Sequence, residues 1–220
     1  MKITVIGATG GTGRLVVDQA LARGYEVRAF VRNPQTLPNH PHLSVIQGDL
    51  ADTAALAGAI AGSDALLCCL GVHEKKNVTV MQRHLPHIIQ AMQQSGVERL
   101  ILLSAYGVGA SMASANCLAK LAYNTIVKDV YADKAQAEKQ LPASGLQWTK
   151  IYPVILTDQP LSAKTETRLL KNTRKVNGFS KVPRANVAKV MLDSIQDKNT
   201  CLETIVLAAS GAIIDSAIKY

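Results

Sequence analysis

The sequence predicts an α/β protein: one domain, residues 1–220, built on a doubly wound parallel sheet with helices on both faces. Three observations predict this fold. Short apolar runs alternate with longer amphipathic stretches, several of the runs are apolar at nearly every position, and glycines follow several of the amphipathic stretches. Runs that are apolar throughout are typical of strands whose two faces are covered. Their alternation with helices favours parallel strands joined by crossover helices.

The apolar runs predict the strands, and the amphipathic stretches between them predict the helices. The strands are expected at 2–6, 26–31, 43–47, 65–70, 99–104, 147–152 and 203–208. The helices are expected at 11–23, 52–61, 79–95, about 115–141 and 184–196. Gly24 and Gly96 end the first and third helices, as glycine often does because it adopts the left-handed conformation without strain.

Two segments are expected to lie as loops on the substrate side of the domain. Residues 105–130 follow the fifth strand and begin with a stretch rich in Gly, Ala and Ser, and residues 157–182 follow the sixth strand and are irregular and basic. Open α/β sheets bind ligands beyond the carboxyl ends of their strands, where both segments emerge. The substrate pocket is therefore expected there.

Composition limits the class of protein. With 48% apolar and 18% charged residues, the chain can bury a sizeable core. No apolar run reaches the length of a membrane span, and the N-terminus lacks a signal-peptide pattern. Four scattered cysteines are typical of buried thiols in a reducing compartment, so we expect a cytoplasmic protein. His73, His84 and His87 have no ligand partners at metal-binding spacing, so no metal site is expected.

The basic residues are unevenly distributed. The net charge is +8, and eight lysines and arginines lie within 164–189 against one acidic residue, Glu166. Such a segment is a solvated face, attracts an anionic substrate, or touches nucleic acid. Nucleic acid is the weakest of these alternatives, because no nucleic-acid-binding motif accompanies the segment.

The motif that carries most of the functional argument is ITVIGATGGTGR, residues 3–14, in which Gly7, Gly10 and Gly13 lie three apart. A strand that turns directly into a helix leaves free backbone N–H groups and the positive end of the helix dipole at the turn. A diphosphate binds there only if the backbone comes close, so glycine is needed where Cβ atoms would interfere. Three glycines alone are weak support, but these follow a predicted strand and open an amphipathic helix. The sequence therefore predicts a Rossmann-like dinucleotide site.

The end of the second predicted strand indicates which dinucleotide is bound. An acidic residue at that place accepts a hydrogen bond from the ribose 2′-hydroxyl of NAD. This chain has Arg32 instead, in the stretch FVRN, with no acidic residue beside it. A guanidinium there holds a 2′-phosphate through charge-assisted hydrogen bonds, although a surface arginine is the alternative. NADP(H) is therefore favoured over NAD(H).

Ten short motifs extend over nearly the full length of the chain. They are GATGGTG (7–13), VRN (31–33), GDL (48–50), CLG (69–71), TVM (79–81), LLSAYG (102–107), DKAQAE (133–138), SGLQWT (144–149), IYPVILTDQPL (151–161) and VPRANVAKVML (182–192). In these motifs and their order the chain resembles the atypical short-chain dehydrogenases/reductases with an NAD(P)H-binding domain. More narrowly, it resembles biliverdin-IXβ reductase/flavin reductase and NmrA-like proteins.

The resemblance implies a set of nucleotide-binding residues. Those expected to hold the diphosphate, after the turn at Gly7, are Thr9, Gly10, Gly11, Thr12 and Gly13. Arg32 would hold the 2′-phosphate. Asp49 and Leu50 would border the adenine, with the Asp49 carboxylate accepting from the adenine amino group. Leu70 and Gly71 would lie beside the adenine ribose.

The resemblance also implies a nicotinamide end of the site. Ser104 would point toward the nicotinamide and Lys134 would lie at the ribose edge, while Tyr106 is a third catalytic candidate. The residues expected to line the nicotinamide side are Tyr152, Pro153 and Val154. Each catalytic candidate has a plainer alternative: Ser104 ends a strand, Tyr106 packs against the long helix, and Lys134 forms a surface pair with Glu138.

The chain departs from the usual Tyr-x-x-x-Lys pair of short-chain dehydrogenases. Tyr131 and Lys134 are three residues apart, and Tyr123 has no lysine four residues later. No tyrosine acid is therefore assigned. The leading prediction is an NADPH-dependent reductase that transfers hydride to a flat conjugated acceptor, such as a flavin or a quinone.

Two alternatives to the reductase stay open. The first is a sensor of the NmrA kind that binds NADP without turnover and signals through a protein partner, which the missing Tyr-x-x-x-Lys pair and the basic segment favour. The second and weaker alternative is a sugar-nucleotide epimerase or dehydratase, for which the chain is short of a C-terminal substrate lobe. Several relatives in this group are monomers and no helix-pair seam is evident, so a monomer is one possibility, and the sequence leaves the oligomeric state open.

Arg32→Glu is expected to shift the cofactor preference from NADP(H) toward NAD(H). The change replaces a phosphate-binding cation with an acceptor for the ribose 2′-hydroxyl. Dissociation constants for both cofactors, measured by calorimetry on both proteins, test it. Unchanged relative affinities would show that Arg32 does not lie at the 2′ position.

Overall fold

The computed structural model of the chain describes residues 1–34, 37–72 and 76–215, apart from the side chain of Cys117. Its strands are β1 (Lys2–Ile6), β2 (Glu26–Val31), β3 (Leu43–Gln47), β4 (Ala65–Cys68), β5 (Arg99–Leu103), β6 (Gln147–Pro153), β7 (Ile155–Thr157), β8 (Thr165–Leu169), β9 (Thr173–Val176), β10 (Lys181–Pro183), β11 (Glu203–Ala209) and β12 (Ile213–Asp215). Its α-helices are α1 (Gly11–Ala22), α2 (Thr53–Ile60), α3 (Val80–Ser95), α4 (Cys117–Thr125), α5 (Lys128–Glu138) and α6 (Arg184–Asp193).

The main sheet has eight strands in the order β3-β2-β1-β4-β5-β6-β11-β8. Neighbouring strands are parallel except β11 and β8, which run antiparallel. The chain runs outward from β1 through β2 to β3 and then returns to the other side of β1 with β4. Such a reversal opens a crevice at the carboxyl ends of the strands, where doubly wound sheets bind ligands. The predicted fold class is confirmed.

A hydrophobic layer covers each face of the sheet. Along β1, Ile3 and Val5 belong to the layer that contains α1 and α6, while Ile6 belongs to the layer that contains α2 and α3. All three side chains are at most 1% exposed. Thr4, the polar residue between them, is hydrogen-bonded to the Ser63 hydroxyl at 2.8 Å. Both faces of the strand are thus covered, which explains why its sequence is almost continuously apolar.

The predicted strands 2–6, 26–31 and 43–47 match β1, β2 and β3 residue for residue, and the other predicted strands end within two residues of those observed. The prediction of a single helix at about 115–141 is wrong, because the chain forms two helices there, α4 and α5. Three consecutive β-branched residues lie at the junction: Thr125 ends α4, and Ile126 and Val127 separate it from α5. Such residues lose side-chain freedom in a helix, which favours an interruption.

The two segments expected as loops contain regular structure, so the expectation of loops is wrong. Residues 105–130 include α4 and a short 3-10 helix, Gly109–Ser114, and residues 157–182 include β8, β9 and β10. These strands pair with partners that are distant in the sequence: β8 with β11, β9 with β12 and β10 with β7. Each strand is short and partly exposed, and therefore lacks the apolar pattern by which strands are recognised.

The separate helix α5 anchors the start of α3. The Asp133 carboxylate accepts hydrogen bonds from the backbone N–H groups of Met81 at 2.8 Å and Gln82 at 2.9 Å. Asp129, one turn earlier, accepts from the Asn77 N–H at 2.8 Å. Asp133 is 1% exposed, and the N-cap residue of α3 makes no side-chain cap of its own. A carboxylate from another helix therefore caps α3.

Asp133→Ala is expected to lower the free energy of unfolding by about 2 kcal/mol, because it leaves buried N–H groups at the start of α3 without an acceptor. Urea denaturation measures the change. Asp193→Ala is the control, since Asp193 is 45% exposed in its ion pairs with Arg23 and Lys189, and such pairs contribute about 1 kcal/mol or less. Equal effects of the two substitutions would contradict the capping role of Asp133.

Candidate active site

A cleft of about 510 Å³ lies at the carboxyl ends of β1, β2, β4 and β5. The predicted site residues that line it are Gly7, Thr9, Gly10, Gly11, Thr12, Arg32, Leu50, Leu70, Gly71, Ser104 and Lys134. The predicted site residues that are not among its lining residues are Gly13, Asp49, Tyr106, Tyr152, Pro153 and Val154. Residues that are up to 127 positions apart in the sequence therefore meet in one cavity, because parallel strands end at the same edge of the sheet.

The glycine turn between β1 and α1 is held by two contacts that exclude a Cβ atom. Gly7 has a φ of +75°, and a Cβ there would lie 2.7 Å from the carbonyl oxygen of Cys69. A Cβ on Gly13 would lie 2.0 Å from the carbonyl oxygen of Gly7, where α1 packs directly on the turn. The N-cap residue Gly10 makes no side-chain cap. The N–H groups of the first turn of α1 are therefore left for a ligand.

Two other glycines are not required by the packing of the chain itself. A Cβ on Gly10 would have its nearest contact at 3.4 Å, with the carbonyl oxygen of Gly7, and a Cβ on Gly71 would meet no heavy atom within 4 Å. Both line the cleft. Because these two glycines have no side chain, a ligand in the cleft can approach their backbone closely. The backbone N–H groups at the start of α1 suit an anion such as a dinucleotide diphosphate.

Arg32 and the end of β3 border one end of the cleft. Arg32 is exposed, and in the described part of the chain its guanidinium takes part in no ion pair. The carboxylate of Asp49 accepts a hydrogen bond from the Ala51 N–H at 2.9 Å. Gly48 and Phe30, which were not predicted as site residues, also line this end. A Cβ on Gly48 would lie 2.3 Å from the Phe30 ring. Gly48 thus lets the ring pack against the cleft.

The other end of the cleft contains Ser104, which is bound to a buried carboxylate. The Ser104 hydroxyl donates a hydrogen bond to Glu138 Oε1 at 2.5 Å. The Tyr152 hydroxyl donates to Glu138 Oε2, and the Lys150 ammonium lies 3.2 Å from the same oxygen. Burial, followed by the Glu138 charge, raises the pKa of Tyr152 above its usual range. Tyr152 therefore acts as a neutral hydrogen-bond donor that positions Glu138 behind Ser104.

Lys134 lies beside Ser104 in the cleft and is nearly buried. Its ammonium group donates a hydrogen bond to the carbonyl oxygen of Leu103 at 3.3 Å. Burial lowers the pKa of Lys134, and the nearby Glu138 carboxylate opposes part of that effect. Lys134 and Glu138 are 8% and 7% exposed, so the alternative of a surface pair is wrong. Ser104 and Lys134 together place a hydroxyl and an ammonium group at one end of the cavity.

Three of the predicted residues lie behind the cleft. Tyr106 is 1% exposed, and its hydroxyl is hydrogen-bonded to Ser114 at 2.9 Å. Its backbone N–H donates to the carbonyl oxygen of Pro153 at 2.9 Å, and the N–H of Val154 donates to Leu207 at 3.1 Å. These residues hold the segment after β5 against β6 and β11. Their proposed contacts with a cofactor stay predictions.

The basic segment 164–189 contributes one side chain to the cleft, that of Arg184. Several others form ion pairs: Arg168 with Asp215 at 3.0 Å, and Lys171 with Glu203. Arg184 was not predicted as a site residue. Its place depends on the pairing of β10 with β7, for which the local sequence carries no signal. Val130 and Leu156, which also line the cleft, were missed for the same kind of reason.

In the ranges that the structure describes, no three side chains of His, Cys, Asp or Glu gather as a metal-binding group. His73 lies outside the described residues. No helix within 1–34, 37–72 and 76–215 is both long and apolar enough to cross a bilayer. The cytoplasmic location and the monomeric state stay predictions.

The sequence profile of a family described as NAD(P)H-binding matches residues 7–198, which is most of the chain. The chain belongs to the NAD(P)H-binding family. The matched range contains the glycine turn, Arg32, Ser104, Lys134 and Arg184. The predicted family resemblance is therefore confirmed at this level, and the NAD(P)H-binding family gives the cleft its ligand class.

Two curated proteins illustrate the range of relatives. An uncharacterized chloroplastic protein of Arabidopsis thaliana is 30% identical over 170 residues, which cover 72% of this chain and 60% of that protein. A 3-beta-hydroxysteroid dehydrogenase of Mycolicibacterium neoaurum is 29% identical over 154 residues, which cover 63% of this chain and 42% of the dehydrogenase. The chain thus spans about half the length of these relatives.

Two solved structures show how widely this NAD(P)H-binding fold is shared. A short-chain dehydrogenase/reductase of Veillonella parvula in complex with NADP has a TM-score of 0.79 at 19% identity, over 99% of this chain and 98% of its own. A putative NADH-flavin reductase of Streptococcus pneumoniae has a TM-score of 0.77 at 20% identity, over 96% of this chain and 100% of its own. At these identities the likeness establishes the common fold.

Lys134→Met is expected to raise the free energy of unfolding at pH 7 by about 1 kcal/mol, because it removes a buried ammonium group and keeps the side-chain volume. The gain should shrink toward pH 10.5. Between the lowered pKa of Lys134 in the folded chain and its ordinary value of 10.5, the unfolded chain binds more protons, so wild-type stability rises with pH across that window.

Urea denaturation at pH 7 and pH 10 measures both effects of the Lys134 substitution. Lys139→Met, at an exposed position next to the end of α5, is the control and should change stability little at either pH. A loss of stability in Lys134→Met at pH 7 would show that the ammonium group is net stabilising.

Proposed function

We propose that the protein is an NADPH-dependent reductase that passes hydride to a conjugated small-molecule acceptor, such as a flavin or a quinone. The observation that carries the proposal is the continuity of the cleft. One cavity runs from the glycine turn and Arg32 to the polar side chains of Ser104 and Lys134. A dinucleotide bound along it would have its phosphates at the turn and its reactive ring at the end where an acceptor has polar partners.

The preference for NADP(H) rests on Arg32. Arg32 directly follows β2, lines the cleft and is exposed, and the next residues in the sequence contain no carboxylate. A planar guanidinium binds a phosphate through two parallel hydrogen bonds, whereas it offers a ribose hydroxyl no acceptor. Arg32 therefore favours the cofactor that carries a 2′-phosphate.

When bound, the nicotinamide supplies the hydride. The chain's own residues then orient and shield the reacting groups. Because its proton is donated to Glu138, the Ser104 hydroxyl offers an acceptor to the cleft, and Lys134 offers a donor beside it. Leu103, Val130 and Leu156 give this end an apolar lining that excludes water.

Among the residues that the structure describes, no tyrosine lines the cleft, which limits the acceptors that fit. Tyr106 and Tyr123 stack edge to face at 6.5 Å, and Tyr123 lies 5.2 Å from Tyr131, in a cluster that supports α4 and α5. A flavin or a quinone can take its proton from solvent after hydride transfer, so neither requires a tyrosine acid. This supports a flat conjugated acceptor over a simple ketone.

A second candidate function is a sensor that binds NADP without turning it over. The tyrosine cluster favours it, because a protein that only binds the cofactor needs no proton donor. A sensor would discriminate between oxidised and reduced cofactor and would retain a protein partner. Equal affinity for both forms, measured by calorimetry, would count against this candidate.

NADPH oxidation in the presence of FMN, FAD and quinones tests the reductase. At least one acceptor should be reduced well above the background oxidation of NADPH, and Ser104→Ala should lower that turnover about tenfold through loss of one hydrogen bond. Ser114→Ala is the matched control, because Ser114 binds Tyr106 outside the cleft. NADPH oxidation no faster than the background rate with every acceptor would contradict the proposal.

A further inference from the structure

Arg184 lies against the glycine turn between β1 and α1. It is the first residue of α6, and its Cδ and Nε atoms each lie 3.2 Å from the place where a Cβ on Gly11 would be. Its side chain is 28% exposed and lines the cleft. The arginine is thus partly enclosed and lies against the residue that opens α1.

The position of Arg184 follows from the small parallel sheet of β7 and β10. Thr157 and Pro183 are the last paired residues of these strands. The chain therefore leaves the sheet with Asp158 and Arg184 side by side. Arg184 Nη1 donates to Asp158 Oδ1 at 2.5 Å, while Asp158 is 89% exposed.

The segment 158–162, which we call the strap, is attached to α6 at two points. One is the ion pair of Asp158 with Arg184. The other is Asn186, which accepts from the Ser162 N–H at 2.9 Å and donates to the Ser162 carbonyl oxygen at 2.6 Å. Both attachments use residues of the first turn of α6. The strap therefore sets the direction of the Arg184 side chain from outside the cleft.

The negative charge of a bound diphosphate is the reason to expect a cation such as Arg184 at the glycine turn. A dinucleotide diphosphate carries two negative charges, and the exposed amides at the start of α1 contribute about half of one positive charge. The Asp158 contact engages one end of the guanidinium. The Nε atom lies against Gly11 and the side chain lines the cleft, and a planar guanidinium can bind two anions at once.

We propose that Arg184 binds the cofactor's diphosphate and that Asp158 positions it, so that the bound cofactor and the strap are held by the same guanidinium. The inference rests on the proposed function in taking the cleft as the nucleotide site. It adds a second cation with a task distinct from that of Arg32. Arg184 serves the part that NADP and NAD share, whereas Arg32 serves the 2′-phosphate.

Calorimetry with two fragments separates these tasks. ADP has the diphosphate without a 2′-phosphate, and adenosine 2′-monophosphate has the reverse. Arg184→Met should weaken ADP binding about tenfold or more and change the binding of adenosine 2′-monophosphate less than about twofold, whereas Arg32→Met should do the opposite. Lys189→Met, which removes an exposed lysine of the same helix, should change neither.

Two further variants test the roles without removing the charge. Arg184→Lys should recover part of the lost ADP affinity, and Asp158→Asn should weaken ADP alone, by less than Arg184→Met, because the arginine is present but less well oriented. Thermal melting of each variant checks that the fold is intact. Unchanged ADP affinity in Arg184→Met, or equal weakening of both fragments, would overturn the proposal. If only the reductase proposal fails, ADP binding will still depend on Arg184, but no acceptor will be reduced.

Discussion

The site depends on one close approach of backbone to backbone. Helix α1 packs so near the end of β1 that a single methyl group on Gly13 would lie 2.0 Å from the carbonyl oxygen of Gly7. This contact directs the start of α1, with its free amides, into the crevice between β1 and β4. The cleft, the family's ligand class and the places of Arg32 and Arg184 all follow from that direction. The glycines at 7 and 13 are thus structural requirements, while Gly10 and Gly71 leave room beside the cavity.

A single buried carboxylate organises the opposite end of the cleft. Glu138, the last residue of α5, receives hydrogen bonds from Ser104, which follows β5, and from Tyr152, and it pairs with Lys150; the last two side chains belong to β6. A buried carboxylate is costly unless its oxygens are satisfied, and here they are. The chain therefore holds Ser104 in one orientation without the tyrosine–lysine pair of the usual short-chain dehydrogenases.

Three acidic residues connect elements around the cleft through hydrogen bonds and ion pairs. Asp133 caps α3, Glu138 supports Ser104, and Asp158 ties the strap to Arg184. Each joins elements that are distant in the sequence and close in space. The net charge of +8 is a property of the whole chain. It does not indicate how charge is distributed at the cleft, where basic side chains pair with specific carboxylates or face the cavity.

The sequence by itself determined the parallel sheet, its strand limits, the glycine turn and the cation at the end of β2. These features are local: apolar periodicity, a three-residue glycine spacing and a residue type at a strand end are all visible in short windows. Only the tertiary structure decided where Arg184, Leu156 and Val130 lie, that the fourth predicted helix is two, and that residues 157–182 form strands. Glu138 shows the reason. Its partners are 34 residues before it and 12 and 14 after it, on two other elements, and no short window of sequence contains the register of strands that brings them together.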